Sequence, residues 1–176
     1  MSLFDMLKHP ALAGLIQDQH LKELLMRREF RLTEEYLHRE FVSQAADEEI
    51  HNPELKFFDG FGEIRCQVKK RLLPAISFSA RFAVHGVEFS NMGKKIHLRV
   101  EQVKPFDCDW VTKRFVDKVP FLSFSDGILT CDLTQVPRLA HLFSYQVKGF
   151  RVADFVTLKE LAIGEGEIVG RLAMVI

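Results

Sequence analysis

The stretch Ile76-Ser77-Phe78-Ser79-Ala80-Arg81-Phe82-Ala83-Val84 sets Ile76, Phe78, Ala80, Phe82 and Val84 on one side, with Ser77, Ser79 and Arg81 on the other. A period of two residues is that of an extended strand with one buried and one wet face. The same beat recurs in Ile96, Leu98 and Val100 against Lys95, His97, Arg99 and Glu101, and earlier in Ile64, Cys66 and Val68 against Arg65, Gln67 and Lys69. Three long antiparallel strands with a common apolar face must be covered, either by the chain's own helices or by a bound apolar molecule.

Working outward, the amino-terminal part reads as helical and the remainder as strands, an α+β pattern. Residues 1–176 are expected to form a single domain, with 1–52 mainly helical and 60–176 mainly antiparallel strands. Ser2 can cap a first helix from Leu3 to Lys8, and Pro10 can open a second bearing Leu12, Leu15 and Ile16 on one face, with a break near Asp18 before Leu21, Leu24 and Leu25. Thr33 is a cap for a third helix, with Glu34 and Glu35 in its first turn and Leu32 paired with Leu37 as a hydrophobic staple. That helix is expected to end before Asn52 and Pro53.

Gly60 and Gly62 mark the switch to alternation. After Val84 the phase breaks, Val87 and Phe89 replacing the even positions, and Gly86 at the break points to a bulge that bends the sheet. Ser90 to Gly93 reverses the chain into a strand from Lys94 to Val103. Asp107 can cap a short helix carrying Val111 and Phe115 and closed by Pro120, and Asp126-Gly127 marks a hairpin between Phe121–Phe124 and Leu129–Leu133. Val136, Leu139, Ala140 and Phe143 have helical spacing behind a Thr134 cap, and a last hairpin turns at Gly164-Glu165-Gly166 into Ile168–Met174.

Composition narrows the function classes. The chain has 176 residues, enough for one domain with a substantial core, and its 24 basic side chains balance 24 acidic ones. Its basic clusters, Lys69 to Arg71 and Lys94 with Lys95, are too short for the dense stripe that nucleic acid requires, so no nucleic-acid partner is expected. The bias of 16 Phe against 2 Tyr and 1 Trp favours dry interiors or oily cavities over interfaces, where Tyr and Trp lead. Cys66, Cys108 and Cys131 are odd in number and widely spaced, encoding neither a disulfide framework nor a zinc site. With no signal-peptide pattern after Met1 and no apolar run of membrane-spanning length, the expectation is a cytoplasmic protein.

The chemistry-bearing spacings are equally spare. Glu35 with His38 and Glu48 with His51 repeat the Glu-x-x-His spacing of carboxylate-bridged metal centres, but such centres need two further carboxylates from facing long helices. His85 and His97 can approach across a bulge, yet zinc needs a third ligand, for which only Glu88 and Glu101 are near. No serine lies in a nucleophile elbow and no cysteine has a base beside it. Asp107, Asp109, Asp117 and Asp132 are available acids, the first two reading as cap and turn residues, and the glycines at 164 and 166 lack the context of a phosphate loop. No enzyme activity, cofactor or metal is expected.

The reading that uses most of the chain is a long, curved antiparallel sheet lined by Phe78, Phe82, Phe89, Ile96, Leu98 and Val100 and closed by the amino-terminal helices. The amphipathic strands from Ile76 onward, the helix ending in Asp117-Lys118-Val119-Pro120, the Asp126-Gly127 hairpin and the carboxy-terminal strands together resemble the tubular lipid-binding proteins and their small bacterial LmeA-type relatives. The resemblance covers about the last 100 residues at the level of pattern, and a departure from the secreted members is expected, since no signal-peptide pattern follows Met1. It implies a nonenzymatic binder of lipid or another apolar ligand; peripheral membrane contact through Leu3, Phe4, Met6 and Leu7 is a further expectation. The alternative is an interaction or scaffold protein with a filled core.

Overall fold

Alternation builds the larger of two antiparallel sheets in the computed structural model, which describes residues 27–90, 92–105, 109–144, 146–147 and 150–174. Its strands are β2 (Ile50–Phe58), β3 (Phe61–Val68), β4 (Ile76–Ser90), β5 (Gly93–Lys104), β6 (Leu122–Ser125) and β7 (Ile128–Asp132), in the order β2-β3-β4-β5-β7-β6. Phe78, Ala80 and Phe82 of β4 are buried together with Cys66 and Val68 of β3 and Ile96 and Leu98 of β5, so the predicted inner face is the observed one. The Gly86 bulge is present: Val84 pairs with Leu98 and Gly86 with His97, leaving His85 as the extra residue. A second shift, between Arg81 and Phe82, leaves Glu101 extra on β5, so both strands of this long pair bend.

The smaller sheet joins β1 (Glu29–Thr33), β11 (Glu167–Met174) and β10 (Val156–Gly164) in the order β1-β11-β10, and a short ribbon pairs β8 (Gln146–Val147) with β9 (Phe150–Arg151). The helices are short: α1 (Glu34–Leu37), which runs on through one wide turn and one tight turn to Ala45; α2 (Asp109–Val116); and α3 (Pro137–Ser144). Mixed α and β content therefore stands, with strands dominant. The predicted opening helices, the break at Asp18 and the amphipathic start lie outside the described residues, as do Asn91, Asp107 and Cys108.

Within residues 27–52 the helical expectation needs correction at both ends. Thr33 caps α1 as expected, its hydroxyl accepting the Tyr36 N–H at 3.2 Å, but the residues before it form β1, paired with β11 across more than 130 positions. The helical passage stops at Ala45, and Ile50 already pairs with Val68 in β2. Asn52 and Pro53 do not end a helix; they occupy a bulge inside β2, where pairing jumps from His51–Gln67 to Glu54–Arg65 and Asn52 takes a φ of 48°. Proline is tolerated at such a bulge because no ladder donor is lost there. The cap before α3 also differs: Asp132 accepts from the Thr134 N–H and hydroxyl, starting a tight turn at Leu133 that leads into the helix.

The hairpin turns follow their sequences. Asp126 and Gly127 both adopt positive φ, 53° and 75°, the pair of values a two-residue turn needs to match strand twist. The β2–β3 and β10–β11 turns dock on each other, Gly60 N–H donating to the Ile163 carbonyl at 2.9 Å and Gly166 N–H to the Phe57 carbonyl at 3.2 Å, which stitches the two sheets together at one end. Each sheet also contains an aromatic ring laid over a glycine directly opposite: Phe82 over Gly62 and Phe30 over Gly170. A Cβ at either glycine would enter the ring, so only glycine admits the close approach.

Candidate apolar binding site

Most buried apolar side chains in the described residues gather in a larger and a smaller cluster. The larger joins Phe57, Phe82 and Leu98 of the six-stranded sheet to Ile163 of the small sheet and to Leu139 and Phe143 of α3. The smaller joins Ile50, Cys66, Phe78 and Ala80 to Val111 of α2. Between these two lies an apolar space of about 180 Å³, lined by members of both and by Leu161 and Ile168 of the small sheet. Among its described lining residues Thr112 supplies the sole hydroxyl side chain and none is charged.

The sequence-predicted residues fall on this space with one exception. Phe78, Phe82, Ile96, Leu98 and Val100 line it. Phe89 does not: beyond the bulge it is half-buried against the larger cluster, opposite Lys94, whose ammonium lies 5.2 Å from its ring centre. The predicted closing helices are represented by Leu37, Phe41 and Val42 of the passage from α1, but much of the cover comes from elements assigned differently in the sequence, the small sheet and α2. Phe41 meets Phe121 edge to face, centroids 4.7 Å apart, at one wall.

Polar groups around the space are committed to structure. Burial acts to raise the Asp47 carboxyl, but hydrogen bonds from Lys118, the Ile50 and Glu49 N–H groups and Arg114 outweigh it and hold the group well below the usual carboxylate range. Arg114 also reaches Glu49 at 3.1 Å, so α2 and the segment after it are fastened to the chain entering β2. Burial pushes the Cys66 thiol up to about 11, and burial with the neighbouring Asp132 charge pushes Cys131 up to about 12, leaving both as small hydrophobes rather than nucleophiles.

The metal-like spacings come apart. His38 donates to the Pro53 carbonyl at 3.2 Å; His51, on β2 rather than a helix, donates to the Glu48 carbonyl. His85 accepts from Arg99 at 2.9 Å, while His97 is hydrogen-bonded with Thr130 at 3.0 Å. Among the described residues no three His, Cys, Asp or Glu side chains gather where a metal could bind. Two buried charged residues were not anticipated from the sequence: Glu63 is 6% exposed and accepts from Arg65 at 3.0 Å, and Lys94 is 5% exposed and donates to the Val156 carbonyl at 3.2 Å. For Lys94 the signal was the phase itself, since position 94 shares the inward beat of Ile96 and Leu98. No helix among the described residues is long and apolar enough to cross a membrane. No protein-family model, curated protein or solved structure matches the chain.

Proposed function

We propose that the chain is a nonenzymatic binder of an apolar ligand, held in the space between the two apolar clusters. The observation that carries this reading is a volume of about 180 Å³ walled by apolar side chains from both sheets and α2. Close-packed interiors seldom leave voids larger than a water molecule, and a water entering here would find almost no partners. An apolar cavity of roughly 150 Å³ stays dry and admits a benzene-sized guest, whereas pockets for whole drug-sized ligands start near roughly 300 Å³. The size therefore fits a compact apolar molecule, or one end of an acyl chain whose remainder lies outside. The resemblance of the strand pattern to tubular lipid-binding proteins points to the same ligand class.

Native mass spectrometry of protein purified from its own host, followed by solvent extraction, tests the reading. A stoichiometric apolar adduct is expected. A clean apo mass, with no uptake of added fatty acid or small hydrocarbon, would contradict it and favour the interaction or scaffold role, with the space as a packing gap.

A further inference from the structure

The turn joining β3 to β4 presents apolar and cationic side chains together on the surface. Its residues 69–75, Lys-Lys-Arg-Leu-Leu-Pro-Ala, are all exposed, and Leu72 at the tip is 97% exposed and Leu73 56%. The turn is nonetheless ordered: the Leu73 N–H donates to the Lys70 carbonyl at 2.9 Å, and the Lys69 N–H donates to the Glu49 carbonyl at 2.8 Å. Beside it, Trp110 at the start of α2 is 37% exposed, with the Lys70 ammonium 4.1 Å from its ring centre. The patch thus combines two outward leucines, three consecutive cations and the chain's single tryptophan.

We propose that this loop, with Trp110, docks the protein on the surface of anionic phospholipid bilayers. Each part fits a different depth of such a surface. Leucines held away from the protein body reach the acyl boundary, the tryptophan suits the headgroup level, and the cations face the anionic lipid phosphates. An acidic protein would satisfy Lys69, Lys70 and Arg71 but leaves two leucines at a convex tip without a pocket; a neutral bilayer would take the leucines but not the cations. Both features together select an anionic bilayer. The proposal is independent of the apolar space, although the next residue along α2, Val111, lines that space and would bring it near the membrane.

Trp110, as the sole indole, is its own reporter. Full-chain protein is mixed with phosphatidylcholine vesicles containing or lacking phosphatidylserine, and both sedimentation and tryptophan emission are read. Binding is expected to the phosphatidylserine vesicles, with a blue shift, quenching by lipids brominated near the headgroup, and weakening as salt is raised. Leu72→Asp with Leu73→Asp should weaken binding more than about tenfold, and neutralising Lys69, Lys70 and Arg71 to Gln about a hundredfold. Circular dichroism and the melting midpoint should stay unchanged, since these side chains are exposed. No sedimentation with either vesicle, or wild-type binding by the Leu72→Asp/Leu73→Asp variant, would overturn the proposal. Equal emission shifts with soluble polyglutamate and none with vesicles would overturn it in favour of an acidic protein partner.

Discussion

The larger and smaller apolar clusters rest on the same six-stranded sheet, yet they are closed by different means. The larger is enclosed between two sheets and capped by α3, and its walls are rings and branched side chains from every layer. The smaller is roofed by α2, eight residues long, whose Val111 is inserted among Ile50, Cys66 and Phe78. That roof is tied at its rim by Arg114 to Asp47 and Glu49 and by Lys118 to Asp47 and the Ala45 carbonyl. Where two sheets meet, a large buried area is supplemented by backbone hydrogen bonds between their turns and by the Lys94 ammonium on the Val156 carbonyl; where one short helix covers a sheet, ion pairs supplement a small apolar footprint. The apolar space lies where these two modes of closure adjoin.

Phe82 belongs to the larger cluster, lines the space and covers Gly62, so its replacement has the largest expected effect. Phe82→Asp should unfold the protein, costing about 5 kcal/mol or more, because a large ring is lost and a charge is left without a partner. Chemical denaturation reads this directly, and a folded variant of near-native stability would remove Phe82 from the core. Gly62→Ala and Gly170→Ala apply one perturbation to the two sheets. Each drives a Cβ into the opposing Phe ring, and each is expected to cost about 1 to 3 kcal/mol of overpacking. A harmless Gly170→Ala would show that the small sheet yields where the large one does not.

The ties of α2 have a smaller effect and a pH signature. Asp47→Asn is expected to cost about 1 to 2 kcal/mol at neutral pH. The folded-state carboxyl of Asp47 is depressed, so its stabilisation is fully present above the ordinary carboxylate range and is lost as pH falls below it. Wild-type stability should therefore fall on acidification more steeply than that of Asp47→Asn, and parallel acid profiles would sever this link. The smallest expected effect is kinetic. Cys66 and Cys131 should resist alkylation at neutral pH until the protein unfolds, and fast labelling of the native state would contradict their raised pKa values.

Much of the large sheet was legible because its signals are local. Alternation through Ile76–Val84 and Ile96–Val100, the phase slip at Gly86, and the Asp126-Gly127 and Glu165-Gly166 turns each carry their structure within a few residues. The small sheet was hidden for the opposite reason. Glu29–Thr33 is only five residues long and its partner lies at the other end of the chain, so nothing near it announces a strand. β2 was masked by its own bulge, which takes Ile50 out of phase with the buried Pro53, Leu55 and Phe57, so the alternation reads as broken. Of the candidate site, the five lining residues from regular strands were legible, while Phe89 was displaced by the same bulge that the sequence announced. What covers the sheet was not legible, because it depends on how distant elements pack.

The most direct test of the apolar space is a thermal-shift titration with benzene on wild type and Ala80→Leu. Ala80 is buried on the wall, and a leucine there extends into the space. The wild type is predicted to show a saturable rise in melting midpoint, as binding to the folded state requires, and Ala80→Leu none. No shift in the wild type, or the same shift in both, would contradict a ligand-admitting space at this position.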